Sequence, residues 1–195
     1  MATTLPAFER FIAEVRATWA SESDMGRRMA KTKPLLERLV SDPTLRAASQ
    51  SWPSTEGHKN LLLHTDPDYG FVVNAVVRTP HRKGSVHDHS QAWVLYGLLD
   101  GSESLERFER IDDGSRPDYA ELRLSSVTTG TQGKVDLVPP HAIHAEQGGP
   151  TRSVAIIVRS QRLGEGTVLQ HVYDPKVQTV VEQYGPTQIP YEVVG

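Results

Sequence analysis

The sequence predicts a mainly β protein, a sandwich or small barrel, preceded by a helical segment. Two observations carry that expectation. Up to about residue 50 the apolar residues recur at helical spacing, whereas after Trp52-Pro53 they gather into short runs bounded by Gly, Pro and Asp. No helical pattern lies between those runs, so nothing supplies the crossovers that a parallel α/β sheet needs. Residues 1–52 are therefore expected to form a helical segment packed on a barrel of residues 53–195.

In the first helix Phe8, Phe11, Ile12, Val15 and Trp19 form one apolar stripe, the pattern of a helix that packs on its own domain. Thr4 with Pro6 marks its start, because proline fits the first turn, where no backbone donor is required. Thr32 and Pro34 repeat that signal ahead of Leu35, Leu36, Leu39 and Val40, and Asp42-Pro43 opens a short third helix. Strands are expected at residues 61–64, 71–77, 86–89, 93–99, 102–110, 119–127, 135–138, 153–158 and 168–173. The punctuation between them is the turn chemistry of Asp66-Pro67-Asp68 with Gly70, of the hairpin signal Asp100-Gly101, and of Asp112-Asp113-Gly114. The tail from Tyr184 through Pro186 and Pro190 is expected to be extended. Trp93 and Tyr96 fall on opposite faces of one strand, so at most one of them faces the interior.

The 195 residues, 37% of them hydrophobic, are enough for a real core. No apolar run approaches the roughly 20 residues of a membrane-spanning helix. The start Met1-Ala2-Thr3-Thr4-Leu5-Pro6 lacks the basic and apolar regions of a secretory signal. A net charge of −3 without any Lys/Arg block argues against nucleic acid and membrane as partners. The absence of cysteine removes disulfides, thiolate ligands and a cysteine nucleophile, and fits a cytoplasmic protein. Any metal must be held by His, Asp or Glu. The expected partner is a small molecule, and the expected state a monomer or homodimer.

His87-Asp88-His89 is the most informative motif. Two histidines at i and i+2 on a strand point to one side of the sheet, and the residue between them points to the other. Asp88 is therefore a poor ligand candidate. His144, from another strand, would complete a three-nitrogen face. Imidazole suits iron, nickel, copper and zinc, and three protein donors leave positions open for water or substrate.

The setting of these histidines resembles the cupin superfamily, the double-stranded β-helix or jelly-roll barrel. In its first motif two histidines separated by one residue are followed by a glutamate and then a glycine; here His87, His89 and Gly101 match and Val94 stands for the glutamate. In its second motif Gly133, Pro139 and His144 match. A cupin with three histidines and no glutamate, behind a helical N-terminal segment, is similar to the cysteine dioxygenase family of thiol dioxygenases. That resemblance implies His87, His89 and His144 as ligands of Fe(II), with Zn, Ni or Mn as alternatives. It implies dioxygen and a small anionic substrate that chelates the metal. The rival readings are a Zn, Ni or Mn cupin catalysing isomerisation or hydrolysis, and a non-catalytic small-molecule-binding cupin. The family's Ser-His-Tyr relay has no counterpart, because Ala155, Ile157 and Arg159 stand at its positions. His64 stands where that family carries a carboxylate-binding arginine.

Three other residues are weighed for catalysis. His141, three residues before His144, is a candidate proton carrier or a rim residue. His64 is a candidate for orienting substrate or a satisfied core histidine. Arg159, like Arg78, lies at the end of an apolar strand. If it points inward, it needs an anion such as a substrate carboxylate. His171 and Tyr173 share one strand face and are expected to be a surface or packed pair.

Overall fold

The structure is a computed structural model that describes residues 3–162 and 169–195. Val168, where one strand is expected to begin, lies outside the described residues.

Three helices open the chain: α1 (Pro6–Ser21), α2 (Met25–Val40) and α3 (Pro43–Ser49). Pro6 occupies the first turn of α1, and the stripe Phe8, Phe11, Val15 and Trp19 is buried. The expected start of the second helix is corrected. Asp24 caps it, accepting from Arg27 N at 2.8 Å, and Thr32 and Pro34 lie inside it. Thr32 returns its hydroxyl to Arg28 O at 2.8 Å, so it does not compete for a cap. The proline is tolerated because Met29, Leu36, Leu39 and Val40 are buried on both sides of it, and packing rather than propensity supplies most helix stability. Asp42 caps α3 as its sequence signal implies, accepting from Thr44 N and Leu45 N, each at 2.9 Å.

Twelve strands follow among the described residues. They are β1 (Lys59–Thr65), β2 (Val72–Arg78), β3 (Val86–His87), β4 (Val94–Asp100), β5 (Ser102–Arg110) and β6 (Leu122–Thr131). Then come β7 (Val135–Val138), β8 (Ile143–Gly148), β9 (Ser153–Arg159), β10 (Gln170–Asp174), β11 (Thr179–Gln183) and β12 (Thr187–Pro190). Sequence reasoning misses β8 and β11, and the extended tail turns out to pair in parallel with β1 as β12.

The strands form two sheets, ordered β12-β1-β2-β9-β4-β7 and β11-β10-β3-β8-β5-β6. From β2 to β5 the chain alternates between the sheets, turns back through the β5–β6 hairpin, and alternates again to β9. This is a jelly roll, the double-stranded β-helix with N-terminal helices that the resemblance implies. Gly101 makes the β4–β5 turn possible. Its φ is +76°, and a Cβ there would lie 2.5 Å from Arg152 O, so no other residue fits.

The apolar runs of β2, β4 and β9 are buried on both faces. Their outward residues, including Val73, Ala75, Leu95 and Ile156, join the aromatic stripe of α1 and the apolar face of α2 in the largest core. Their inward residues alternate with these and include Asn74, Arg78, Tyr96 and Arg159. The main core thus lies between the helices and the first sheet, which leaves the barrel interior free to be polar. No described helix is long and apolar enough to cross a membrane.

Candidate metal centre

β3 and the turn after it present His87 and His89 to the barrel interior, and β8 presents His144. His87 and His144 are direct partners in the β3–β8 register. One nitrogen from each of the three rings lies within 4.8 Å of the others, and the ring centroids are 4.5–4.9 Å apart. His87 Nδ1 donates to Ser85 O at 3.0 Å, and His144 Nδ1 donates to Ala142 O at 2.8 Å. A carbonyl only accepts, so these bonds place a proton on each Nδ1, and in the neutral ring Nε2 is the nitrogen left with a lone pair. His144 Nε2 is buried without a hydrogen-bond partner among the described residues.

Burial, and then the neighbouring His144, pushes His87 down to about 4. Burial also holds His89 well below its ordinary value. Both are therefore neutral near pH 7, the form that binds a metal. An orphaned ring nitrogen of His144 beside two neutral imidazoles fits a divalent ion held by His87, His89 and His144.

Asp88 points to the other face of the sheet, as strand alternation requires. Its carboxylate accepts from Ser90 N at 3.0 Å, from the His171 backbone and ring, and from the Tyr173 hydroxyl at 3.0 Å. His171 and Tyr173 are thus a packed pair that fixes the turn carrying His89, and they lie outside the metal cavity.

The metal cavity has a volume of about 320 Å³ and takes in His87, His89, Val94, Tyr96, Glu146 and Arg159. Of the three catalytic candidates read from the sequence, only Arg159 is in it. His141 lines a separate cleft on the outer face with Arg110 and His171. His64 packs on Phe71, with ring centroids 5.6 Å apart, and Nε2 stands 3.5 Å from Asp66.

The two inward arginines differ in their partners. Arg78 lies against two carboxylates, Glu103 at 3.3 Å and Glu146 at 3.4 Å. Burial opposes its charge, but Tyr96, Glu103 and Glu146 raise its pKa above the usual arginine value. Glu103 also accepts from Tyr96 OH and from Ser153 OH, each at 2.6 Å. Arg159 is 4% exposed, and its partners are neutral amides. Nη1 donates to Asn74 Oδ1 at 2.5 Å and, with the Asn60 amide oriented to accept, to Asn60 at 3.3 Å. Its Nε is buried and has no hydrogen-bond partner among the described residues. Burial pushes it down to about 10.

Glu146 and Glu103 are the site residues that sequence reasoning misses; Arg78 and Tyr96 are weighed there, but not as members of one network with Glu103. The available signal for Glu146 is its i+2 spacing from His144. Reading that spacing requires β8 to be recognised as a strand.

No protein-family model matches the chain, and no curated protein matches its sequence. Among solved structures it is similar to an uncharacterized Klebsiella pneumoniae protein with a double-stranded β-helix domain. That protein shares 14% identity over 57% of this chain and 80% of its own, with a TM-score of 0.42. The cupin domain of Schizosaccharomyces pombe Cnp3 shares 10% identity over 58% of this chain and 71% of its own, with a TM-score of 0.44. An oxalate oxidase in complex with the substrate analogue glycolate shares 16% identity over 57% of this chain and 56% of its own, with a TM-score of 0.44. The chain thus spans little more than half of that oxidase. At these identities the likeness is one of β architecture and assigns no activity.

Proposed function

We propose that the chain is a metal-dependent enzyme, a non-haem Fe(II) dioxygenase acting on a small carboxylate-bearing substrate that chelates the metal. The observation that carries this reading is a buried guanidinium, Arg159, with no carboxylate in ion-pair distance among the described residues, in the same cavity as three converging imidazoles. A buried cation without an anion is costly, and a substrate carboxylate supplies the missing charge. When bound, ferrous iron supplies Lewis acidity and the electrons that activate dioxygen. The chain's own residues bind and orient. Arg159 holds the carboxylate, Asn74 and Asn60 fix the guanidinium, and Val94 and Ile157 keep one wall dry. A volume of about 320 Å³ restricts the ligand to a small molecule.

One observation favours a rival. Ala155 and Ile157 are inward-facing and apolar, so the proton relay of thiol dioxygenases is missing. This supports a Zn, Ni or Mn centre catalysing a non-redox isomerisation or hydrolysis. The test is anaerobic loading with iron, followed by oxygen-electrode measurements on thiol carboxylates, diketones and hydroxylated aromatics. Iron-dependent oxygen uptake that disappears in His87→Ala is the expected result. Failure to bind iron, or no uptake with any class, sinks the dioxygenase reading. Turnover by the zinc-loaded form alone establishes the rival. Ligand binding that survives replacement of all three histidines makes the chain a binding module.

A further inference from the structure

The geometry points to Glu146 as a fourth protein ligand of the metal, which makes the centre a three-histidine, one-carboxylate site. The inference rests on the metal-centre reading above and concerns the make-up of that same site. Glu146 lies two residues after His144 on β8, so both side chains face the interior. It is 5% exposed. Because His87 is paired directly with His144 and the strands are antiparallel, His89 and Glu146 approach the central pair from opposite ends. Glu146 therefore adds a carboxylate on the side of the His87–His144 pair away from His89.

The contacts agree with this placement. Glu146 Oε1 stands 3.3 Å from His144 Nε2, a separation that suits adjacent donors on one ion, each roughly 2.0–2.2 Å from it. With Nδ1 donating to Ala142 O, a neutral His144 presents an Nε2 lone pair to a carboxylate oxygen. Two buried acceptors facing each other repel unless a cation lies against both. Glu103 takes donors on both oxygens, from Ser153 and from Tyr96 with Arg78. Glu146 has Arg78 on Oε2 only, and among the described residues nothing donates to Oε1. Arg78 thus holds the carboxylate by one oxygen and leaves the other against His144. A carboxylate ligand reduces the net charge of a divalent centre to +1, so the substrate need supply only one anionic donor to neutralise it.

A His144 imidazolium–Glu146 ion pair would satisfy the same two atoms without metal, and the metal-loaded protein separates the two arrangements. In a crystal structure of full-length protein loaded with zinc, the expected metal–Oε1 distance is about 2.0–2.2 Å. In solution, Glu146→Gln is expected to weaken zinc binding at least about 10-fold in competition with a chromophoric chelator. A zinc ion on three histidines with Oε1 beyond about 3 Å overturns this inference and leaves the metal centre standing. Wild-type affinity in Glu146→Gln does the same. Failure of wild-type protein to bind any metal overturns both. The wild-type zinc structure decides even if the variant does not fold.

Discussion

Arg78 and Arg159 are both inward and buried, yet they carry opposite energetic consequences. Arg78 neutralises Glu103 and Glu146, so its removal strands two buried carboxylates. Among the described residues Arg159 has only amide oxygens as hydrogen-bond partners, with Glu146 acting on it from a distance, so its removal relieves a charge without an ion pair. Replacing each by methionine, which roughly preserves volume, separates a structural arginine from a binding one. Arg78→Met is expected to lower unfolding free energy by about 3–5 kcal/mol, the usual cost of breaking a buried ion pair. Arg159→Met is expected to leave ligand-free stability within about 1 kcal/mol of wild type or to raise it. It should also raise KM for a carboxylate substrate by roughly 10- to 100-fold, the worth of about 1.5–3 kcal/mol in charged hydrogen bonds. Denaturant titration and steady-state kinetics on the two variants check this. Equal destabilisation by both would remove the case for Arg159 as an anion anchor.

At the scale of elements, legibility followed the apolar pattern. β2, β4 and β9 were visible because one face packs under the helices and the other lines the barrel, which writes continuous apolar runs into the sequence. β8, Ile-His-Ala-Glu-Gln-Gly, was invisible because its inner face carries His144 and Glu146, so function displaced the hydrophobic signal. The metal histidines were legible through their own spacing, but Glu146 depended on the strand and was lost with it. In α2 the error went the other way: a proline after a threonine imitates a helix start, while Asp24 is the cap. The α2–β4 contact also imposes a residue choice. A Cβ at Gly97 would stand 3.1 Å from Leu36 Cγ, Leu36 Cδ2 and Val135 Cγ2, tighter than normal packing. Gly97→Ala is expected to destabilise by about 1–2 kcal/mol through overpacking, and Leu36→Ala by about 2–5 kcal/mol through a cavity. Combined, they should cost less than the sum, because the new methyl occupies space that Leu36 vacates. A strictly additive double-mutant cycle would show that Gly97 does not serve helix–sheet packing.

Across the whole molecule, stability and chemistry occupy different places. The largest core joins the helices to the outer face of the first sheet, while the barrel interior holds histidines, arginines and carboxylates that oppose folding unless they are occupied. The metal-free protein should therefore record this opposition in its pH dependence. His87 is pushed from an ordinary value of 6.5 to about 4, so between those values the unfolded chain binds more protons than the folded one. Stability then rises with pH across that window and falls as pH drops from about 6.5 to about 4. For His87 alone the change is on the order of 3 kcal/mol, and the depressed His89 acts in the same direction. A divalent metal adds to the effect because it binds only neutral imidazoles. It contributes about 2.7 kcal/mol at a free concentration 100 times Kd and less as acid competes for the nitrogens. Urea unfolding at pH 4.5 and pH 7, each with chelator and with zinc, gives the four stabilities required. The zinc increment should be largest at pH 7, and His87→Gln should flatten the metal-free slope. Metal-free stability that stays constant from pH 4.5 to pH 7 would mean that the histidines are not held neutral by the barrel, and the physical basis for a preformed metal centre would go with it.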